Sequence, residues 1–277
     1  MKGSARYSPA GRGLLLGFIF AILVSHGTAA SAQGMLGPMP GQETDGMKPT
    51  RVSVGAGAMI FPEYQGSSDY RALPLPMVQA NWGNRASLGM AQGFQYNFFN
   101  HERWQASTFL RYMGGRNNSG ALSDIERKDG GLASGGRLRL RLGPVSVSST
   151  VQTPLSGDIS GSQANLAATF MGMSPGSRWI YTVGPSITWT SDNRSNGLYG
   201  LNESDAQTLG VSPYEAESGI SASRLTMTLT RVISKQQTAT AIISMNYLQG
   251  DAANSPLIQD LGERRQAMGG VILSWHF

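Results

Sequence analysis

The 277-residue chain contains no cysteine. Disulfide staples, thiolate-bound zinc and thiol nucleophiles are therefore excluded, and stability must come from burial and hydrogen bonding. Charge is scarce as well: Asp, Glu, Lys and Arg make up 14% of the residues, against about 25% in ordinary soluble domains. Beyond residue 33 there is no apolar run approaching the ~20 residues of a membrane-crossing helix. Nor does any long segment there place apolar residues at the helical spacing of 3.6. The basic excess is not a nucleic-acid signature. The formal charge of +5 falls to +2 once residues 1–32 are set aside, because they hold three of the 22 Lys+Arg and none of the 17 Asp+Glu. No basic cluster carries interleaved aromatics, so no nucleic-acid partner is expected.

What the chain does contain begins with an export signal. Lys2, Arg6 and Arg12 precede a short apolar run over residues 13–24, and Ala30-Ser31-Ala32 has the small-x-small form that signal peptidases cut. Residues 1–32 are expected to be removed, leaving Gln33 first. No Cys stands at that point, which argues against a lipoprotein. Low charge without a helix-length apolar run fits the bulk composition of a transmembrane barrel, where lipid-facing residues alternate with polar lumen-facing ones.

Period-two alternation recurs along the rest of the chain. The clearest case sets Leu138, Leu140 and Leu142 against Arg137, Arg139 and Arg141; in a barrel the leucines face lipid and the arginines the lumen. Residues 224–231 and 238–247 repeat the pattern, as does the end of the chain, where Ala267, Gly269, Val271, Leu273, Trp275 and Phe277 share one face. A last strand closing on an aromatic residue is common in outer-membrane barrels and is thought to be read by the barrel-assembly machinery. Further candidates are 52–61, 72–82, 86–98, 104–112, 132–142, 145–151, 164–171 and 179–189. Most have the ~9–11 residues that a tilted spanning strand needs. Many of the 36 glycines fall inside these segments, at Gly55, Gly57, Gly89, Gly93, Gly135 and Gly136, where they let a sheet bend and close.

Four long loops, 114–130, 153–161, 191–217 and 250–262, are expected on the outer side, since spanning barrels have short periplasmic turns. The candidates number eleven, which is incompatible with both ends of the barrel in the periplasm. Parity makes 52–61 run inward and calls for one more strand before it, so the miscount is expected near residue 50. The expected fold is all-β: a single transmembrane antiparallel up-and-down β-barrel of about twelve strands, with ten as the alternative. The domain reading is 1–32 cleaved signal peptide, 33–50 N-terminal periplasmic segment and 51–277 outer-membrane barrel.

Three stretches carry more than architecture: FPEYQGSSDYRALPLP (61–76), YGLNESDAQTLGVSPYEAESGI (199–220) and GDAANSPLI (250–258). Together they resemble the MipA/OmpV family, the MltA-interacting proteins of the Gram-negative outer membrane. Family members usually have Asp where Asn254 stands, and their Gly-His-Gly-Gly-like run is here only Ser156-Gly157-Asp158-Ile159-Ser160-Gly161. The resemblance implies a non-enzymatic scaffold tying a murein transglycosylase to a penicillin-binding protein, and it brings no catalytic or binding residue with it.

The residues offer two rival readings. A small-solute pore would pass through a lumen lined by Arg137, Arg139 and Arg141, and would be weakly anion-selective or plugged by these charges. An outer-membrane lipid hydrolase would need a base. His26 leaves with the signal peptide, His276 sits in the last strand, and His101 beside Glu102 in a turn reads as a solvated surface residue. Asp124, Glu126 and Asp129, and the pair Glu215 and Glu217, lack the spacing of a calcium loop and read as solvated loop charges. No residue is therefore assigned to catalysis, to a cofactor or to a metal. The expected partners are outer-membrane lipid and lipopolysaccharide, the assembly machinery, a murein transglycosylase and a penicillin-binding protein.

Overall fold

The computed structural model describes residues 51–176 and 178–277; the expected signal peptide and the segment 33–50 lie outside the described residues. Twelve strands follow in order: β1 (Arg51–Pro62), β2 (Tyr70–Trp82), β3 (Ala86–Gly89), β4 (Gly93–Asn100), β5 (Trp104–Met113), β6 (Gly131–Leu142), β7 (Val145–Pro154), β8 (Gln163–Met173), β9 (Trp179–Thr190), β10 (Gly219–Val232), β11 (Gln237–Leu248) and β12 (Arg265–His276). Each pairs antiparallel with its sequence neighbours, and β1 closes onto β12, giving an up-and-down barrel.

The alternation in the sequence becomes an outside and an inside. Leu138, Leu142, Ile243 and Val271 point outward, between 46% and 62% exposed, whereas their neighbours Arg137, Ile242 and Ile272 face in. That outward apolar surface has the height of a bilayer. On β9 the exposed rings of Trp179 and Trp189 are ten residues apart. At ~3.3 Å per residue and ~40° tilt this separation spans roughly 25 Å, the height of the apolar band in outer-membrane barrels. The long connections, 63–69, 114–130, 155–162, 191–218 and 249–264, gather at one end, and the short turns at the other. The long-loop end is the outer one by the general rule for such barrels.

The count of twelve is reached where the sequence reading did not look for it. Residues 86–98 do not form one strand but a short hairpin, β3 and β4, reversing at Met90-Ala91-Gln92. Gly93 makes the reversal possible: its φ is +70°, in the left-handed region that L side chains avoid. The correction also reverses β1. It runs outward rather than inward, and its free edge is taken by β12, so the barrel has no place for a further strand ahead of it.

Prolines occupy the strand positions where a missing N–H matters least. Pro62 and Pro154 end β1 and β7, and Pro185 lies where the β8–β9 ladder is interrupted between the Ala167↔Ser186 and Phe170↔Val183 pairs. Pro74 and Pro76 fall in β2, where the ladder to β3 covers only Gln79–Trp82. Val78 accepts a hydrogen bond from Met90 N–H on that side (3.2 Å), so the even-numbered residues of β2 direct their backbone toward it. The two prolines thus place their N–H-less nitrogens on the unpaired edge.

The outer loops fold into a cap that the sequence reading left as plain loop. It contains helices α1 (Asp192–Tyr199), α2 (Glu203–Leu209), α3 (Gly250–Asn254) and α4 (Pro256–Gln259), and a single 3-10 turn (Gly120–Leu122). These helices are too short for a periodic signal, but their ends are marked. Asn202 accepts a bond from the Asp205 N–H (2.7 Å), Ser255 one from the Leu257 N–H (3.2 Å), and Gly210 closes α2 with φ of +69°. Tyr64, Leu122, Ile159, Leu198, Tyr199, Leu201, Leu248, Leu257 and Ile258 form one buried core. Full burial of each such side chain is worth roughly 1.5–3 kcal/mol, enough to hold the loops together without disulfides.

Candidate functional site: the lumen beneath the cap

A cavity of about 1260 Å³ runs along the barrel axis, from Asn84, His101 and Pro144 at the turn end to Tyr64, Arg194 and Tyr199 under the cap. Its wall has two characters. On the β5–β6 side, inward-facing positions alternate with lipid-facing ones, and parity puts Arg111, Arg137, Arg139 and Arg141 inside. Arg111 donates through Nε (2.8 Å) and Nη2 to Gln152 Oε1. Arg137 donates to Thr150 Oγ1 (3.2 Å) and Gln95 Oε1 (3.3 Å). The two guanidinium groups share the ring of buried Phe109, at 4.6 and 5.9 Å from its centroid. Such contacts are worth ~0.5–2 kcal/mol each and hold both cations in place.

The opposite wall is apolar. Met59, Phe61, Met77, Ile242, Met268 and Ile272 form an inward cluster, with Leu73 and Leu75 packed against it. Arg71, at the top of this side, stacks over Phe61 at 5.5 Å, and its Nε and Nη2 are buried without a hydrogen-bond partner.

No Asp or Glu occurs in any of the twelve strands, and arginine is their only formally charged residue type. Among the described residues, Glu102 is the only acid at the turn end; the rest lie in the outer loops. The strand-built wall of the lumen therefore presents fixed positive charge, with neutral amides and a hydroxyl as the partners of Arg111 and Arg137, and the lining acids Glu63 and Glu102 lie in the connections at its two ends. In a narrow, low-dielectric passage that arrangement raises the local concentration of anions and repels cations.

The roof of the lumen is polar but tightly held. Arg194 of α1 donates to Gly114 O (2.9 Å), and burial brings its guanidinium down to about 10. The Tyr199 hydroxyl is buried without a hydrogen-bond partner, and desolvation pushes its phenol well up. Arg116 joins loop to loop through Gly200 O (2.8 Å) and a buried pair with Asp205 (3.6 Å). Gln266 clamps the β1–β2 loop, accepting from Gly66 N–H (3.0 Å) and donating to Ser67 O (2.9 Å). Gly66, with φ of +104°, packs so closely on Ile258 that a Cβ would overlap its side chain. The three sequence motifs thus converge: 61–76 supplies Tyr64 and Gly66, 199–220 supplies Tyr199, Leu201 and Ala216, and 250–258 supplies Ala252, Leu257 and Ile258.

The residues weighed for chemistry are scattered. His101 and Glu102 sit together at the turn-end mouth, with His101 stacked on Phe99 (6.4 Å). Asp129 pairs with Arg127 (2.7 Å) in the exposed β5–β6 loop that also holds Asp124 and Glu126. The Glu217 N–H is bound by Asp251 (2.8 Å), which fixes the end of the 191–218 loop. Among the described residues, no three His, Asp or Glu side chains gather as a metal site would require. His276 bonds Ser53 Oγ (2.8 Å) and Thr238 Oγ1 (3.0 Å). Ser53 is buried, and the second ring nitrogen meets a hydroxyl rather than a carboxylate, so the trio joins β1, β11 and β12 at the seam.

The arginine row on β6 lies on the face that alternation assigned to it. Sequence reasoning missed Arg111, Phe109 and Gln152. Arg111 is a lone charge in a largely apolar strand, and only strand parity, counted from Ser107 and Phe109, could have placed it inward.

Comparison with solved structures shows similarity to outer-membrane barrels. The COG4313 outer membrane channel from Pseudomonas putida F1 is 10% identical, with 87% of this chain and 100% of that one covered, at a TM-score of 0.48. An anion-selective porin from Comamonas acidovorans is 8% identical (83% and 99% covered, TM-score 0.35). OmpT of Vibrio cholerae is 4% identical (83% and 98% covered, TM-score 0.35). No curated protein matches. The family model described as MltA-interacting protein MipA matches residues 54–277, the whole barrel but for the first residues of β1, and this chain, an outer-membrane β-barrel, belongs to that family.

Proposed function

We propose that this barrel is a non-enzymatic adaptor that holds peptidoglycan-remodelling enzymes, a murein transglycosylase and with it a penicillin-binding protein, at the inner face of the outer membrane. The family membership carries the reading, since the family's name describes interaction with MltA. The charge distribution supports it. Arg51, Arg85, Arg103, Arg178 and Lys235 form an exposed basic collar at the turn end, opposed there only by Glu102 among the described residues, while the outer cap is acidic. A collar of this kind steers an acidic partner and sets its orientation.

The test is capture of a murein transglycosylase from the same cell by the purified barrel in detergent. Reversing Arg85, Arg103 and Lys235 to Glu is expected to weaken capture and flatten its salt dependence. Absence of affinity for any murein hydrolase or synthase would overturn the adaptor reading.

A second reading has its own observation. The arginine-lined lumen, whose strand-built wall has no acid and whose lining acids Glu63 and Glu102 lie in the connections at its two ends, suits the passage of small anions. Planar-bilayer recordings are expected to show chloride preferred over potassium. Cation preference, or no conductance, would remove this reading and leave the adaptor untouched.

A further inference from the structure

The barrel wall has a window. The β2–β3 ladder runs only from Gln79↔Gly89 to Trp82↔Ala86, so residues 70–77 of β2 pair with β1 alone. Across from them, the β4–β5 ladder starts at Phe94↔Leu110, and Arg111–Met113 pair only with β6. The sill is the β3–β4 turn: Gly93 lies so close to β5 that a Cβ there would stand 2.6 Å from Arg111 Cα. The lintel is the β5–β6 loop, where Asn117 Nδ2 donates to Glu63 O (3.4 Å). Along β2 the opening is about eight residues long, or ~26 Å at the usual strand rise. It runs from Tyr70, at the outer end of β2, to past the middle of the strand, and so opens onto the outer leaflet.

An unpaired strand edge in lipid leaves unbonded N–H groups, each costly in hydrocarbon. Pro74 and Pro76 remove two of them on the edge that frames the window. The edge is built to stay open rather than to recruit another strand.

The surroundings define what could pass. Outside the window is lipid and above it is the packed cap. Directly inside, the apolar cluster around Phe61 and Met77 faces the paired guanidinium groups of Arg111 and Arg137 across the cavity. Arg71, with two unbonded donors, stands at the upper jamb. One wall fits an apolar body and the other an acidic head.

We infer that the window admits monoacyl amphiphiles with an acidic head group from the outer leaflet into the lumen, where Arg111 and Arg137 bind the head and the β1–β2–β12 wall takes the chain. The inference deepens the anion-passage reading, supplying its substrate class and its route, and does not depend on the adaptor role.

The experiment uses the full barrel in phosphatidylcholine nanodiscs with a dansyl-labelled undecanoic acid as fluorescent probe. Dodecanoate should displace the probe, with dodecanol and acetate roughly tenfold weaker or worse, because only dodecanoate offers both a chain and a charge-assisted bond to arginine. Equal competition by dodecanol would mean that the arginines are not used, and equal competition by acetate that the apolar wall is not; either overturns the proposal. These arms need no variant. In the R111Q/R137Q barrel, probe affinity should fall roughly tenfold, and unchanged affinity refutes the head-group site. Loss of probe binding when phosphatidylglycerol is added to the disc would make a resident lipid the occupant and refute a free acid.

The route is tested separately. The chain has no cysteine, so Ala91→Cys places a single label on the sill and Lys235→Cys one on a distant turn. A bulky maleimide at Ala91→Cys should abolish rapid probe uptake from lipid while the same label at Lys235→Cys leaves it intact; equal uptake refutes the window. A barrel that prefers chloride in recordings yet shows no dodecanoate competition loses this inference alone.

Discussion

Two sectors of the same wall behave differently. From β9 to β12 the strands are bonded to one another along nearly their full length, with ladders running from Arg231↔Trp179 to Gly219↔Thr190 and from Gln237↔Trp275 to Tyr247↔Arg265. From β2 to β4 the wall is carried by two four-pair ladders. Outward residues are apolar in both sectors, so lipid contact does not explain the contrast. Backbone chemistry does. The ladders of the complete sector pair the facing backbone groups of β9 to β12 from end to end, whereas the incomplete sector holds Pro74 and Pro76 on its open side and the left-handed Gly93 at its tip. A membrane barrel can therefore leave part of its wall unbuilt where the exposed edge has been stripped of donors.

Exchanging prolines between the sectors gives the largest expected effect. Ala241→Pro in β11 removes a ladder bond from a strand paired on both sides and should destabilise the barrel by about 3 kcal/mol or more. Pro76→Ala in β2 should cost less than about 1 kcal/mol, mostly through the unfolded chain. Denaturant unfolding in detergent reads both, and equal costs would show that the β2 edge is bonded after all.

A charge on the outer face probes the complete sector alone. Ile243→Arg, at mid-height on β11, should cost roughly 2–4 kcal/mol, measured by unfolding in lipid vesicles. A much smaller cost would mean that this face does not meet the hydrocarbon.

Hydrogen exchange sharpens the contrast at single residues. Ala72 directs its N–H to the open edge and Leu73 to β1, so Ala72 should exchange roughly tenfold faster, in line with one lost hydrogen bond of about 1 kcal/mol. Adjacent residues of the complete sector, such as Ala241 and Ile242, should show no such alternation.

The smallest effect concerns the cap rather than the wall. Asp192, exposed at the start of α1, accepts the Ser218 N–H at 2.6 Å, and this bond holds its carboxyl below the ordinary 3.8. A folded value below the unfolded one adds stability above the unfolded value and loses it as pH falls through the folded one. Exchange in residues 191–218 should therefore rise as pH falls through and below the ordinary 3.8, while β9 and β10 stay protected. Asp192→Asn should remove the pH dependence of that loop.

The amino-acid sequence by itself determined the barrel. Period-two alternation sorts each segment into lipid and lumen faces locally, and Leu138 and Arg137 end on the sides that their spacing assigned. It also determined the charge of the strand-built wall of the lumen, because no acid occurs in any strand. Three further features were decided only by the tertiary structure. Residues 86–98 alternate well enough to pass for one strand; Gly89 and Gly93 were visible, but the reversal between them depends on pairing with β2 and β5, which no local pattern encodes. The openness of the β2 edge follows from how short that hairpin is, so Pro74 and Pro76 acquire their meaning only once the neighbour is missing. The cap unites motifs separated by well over a hundred residues, and its helices, too short to carry a periodic signal, are held by contacts such as Gly66 on Ile258 that exist only after the barrel has closed.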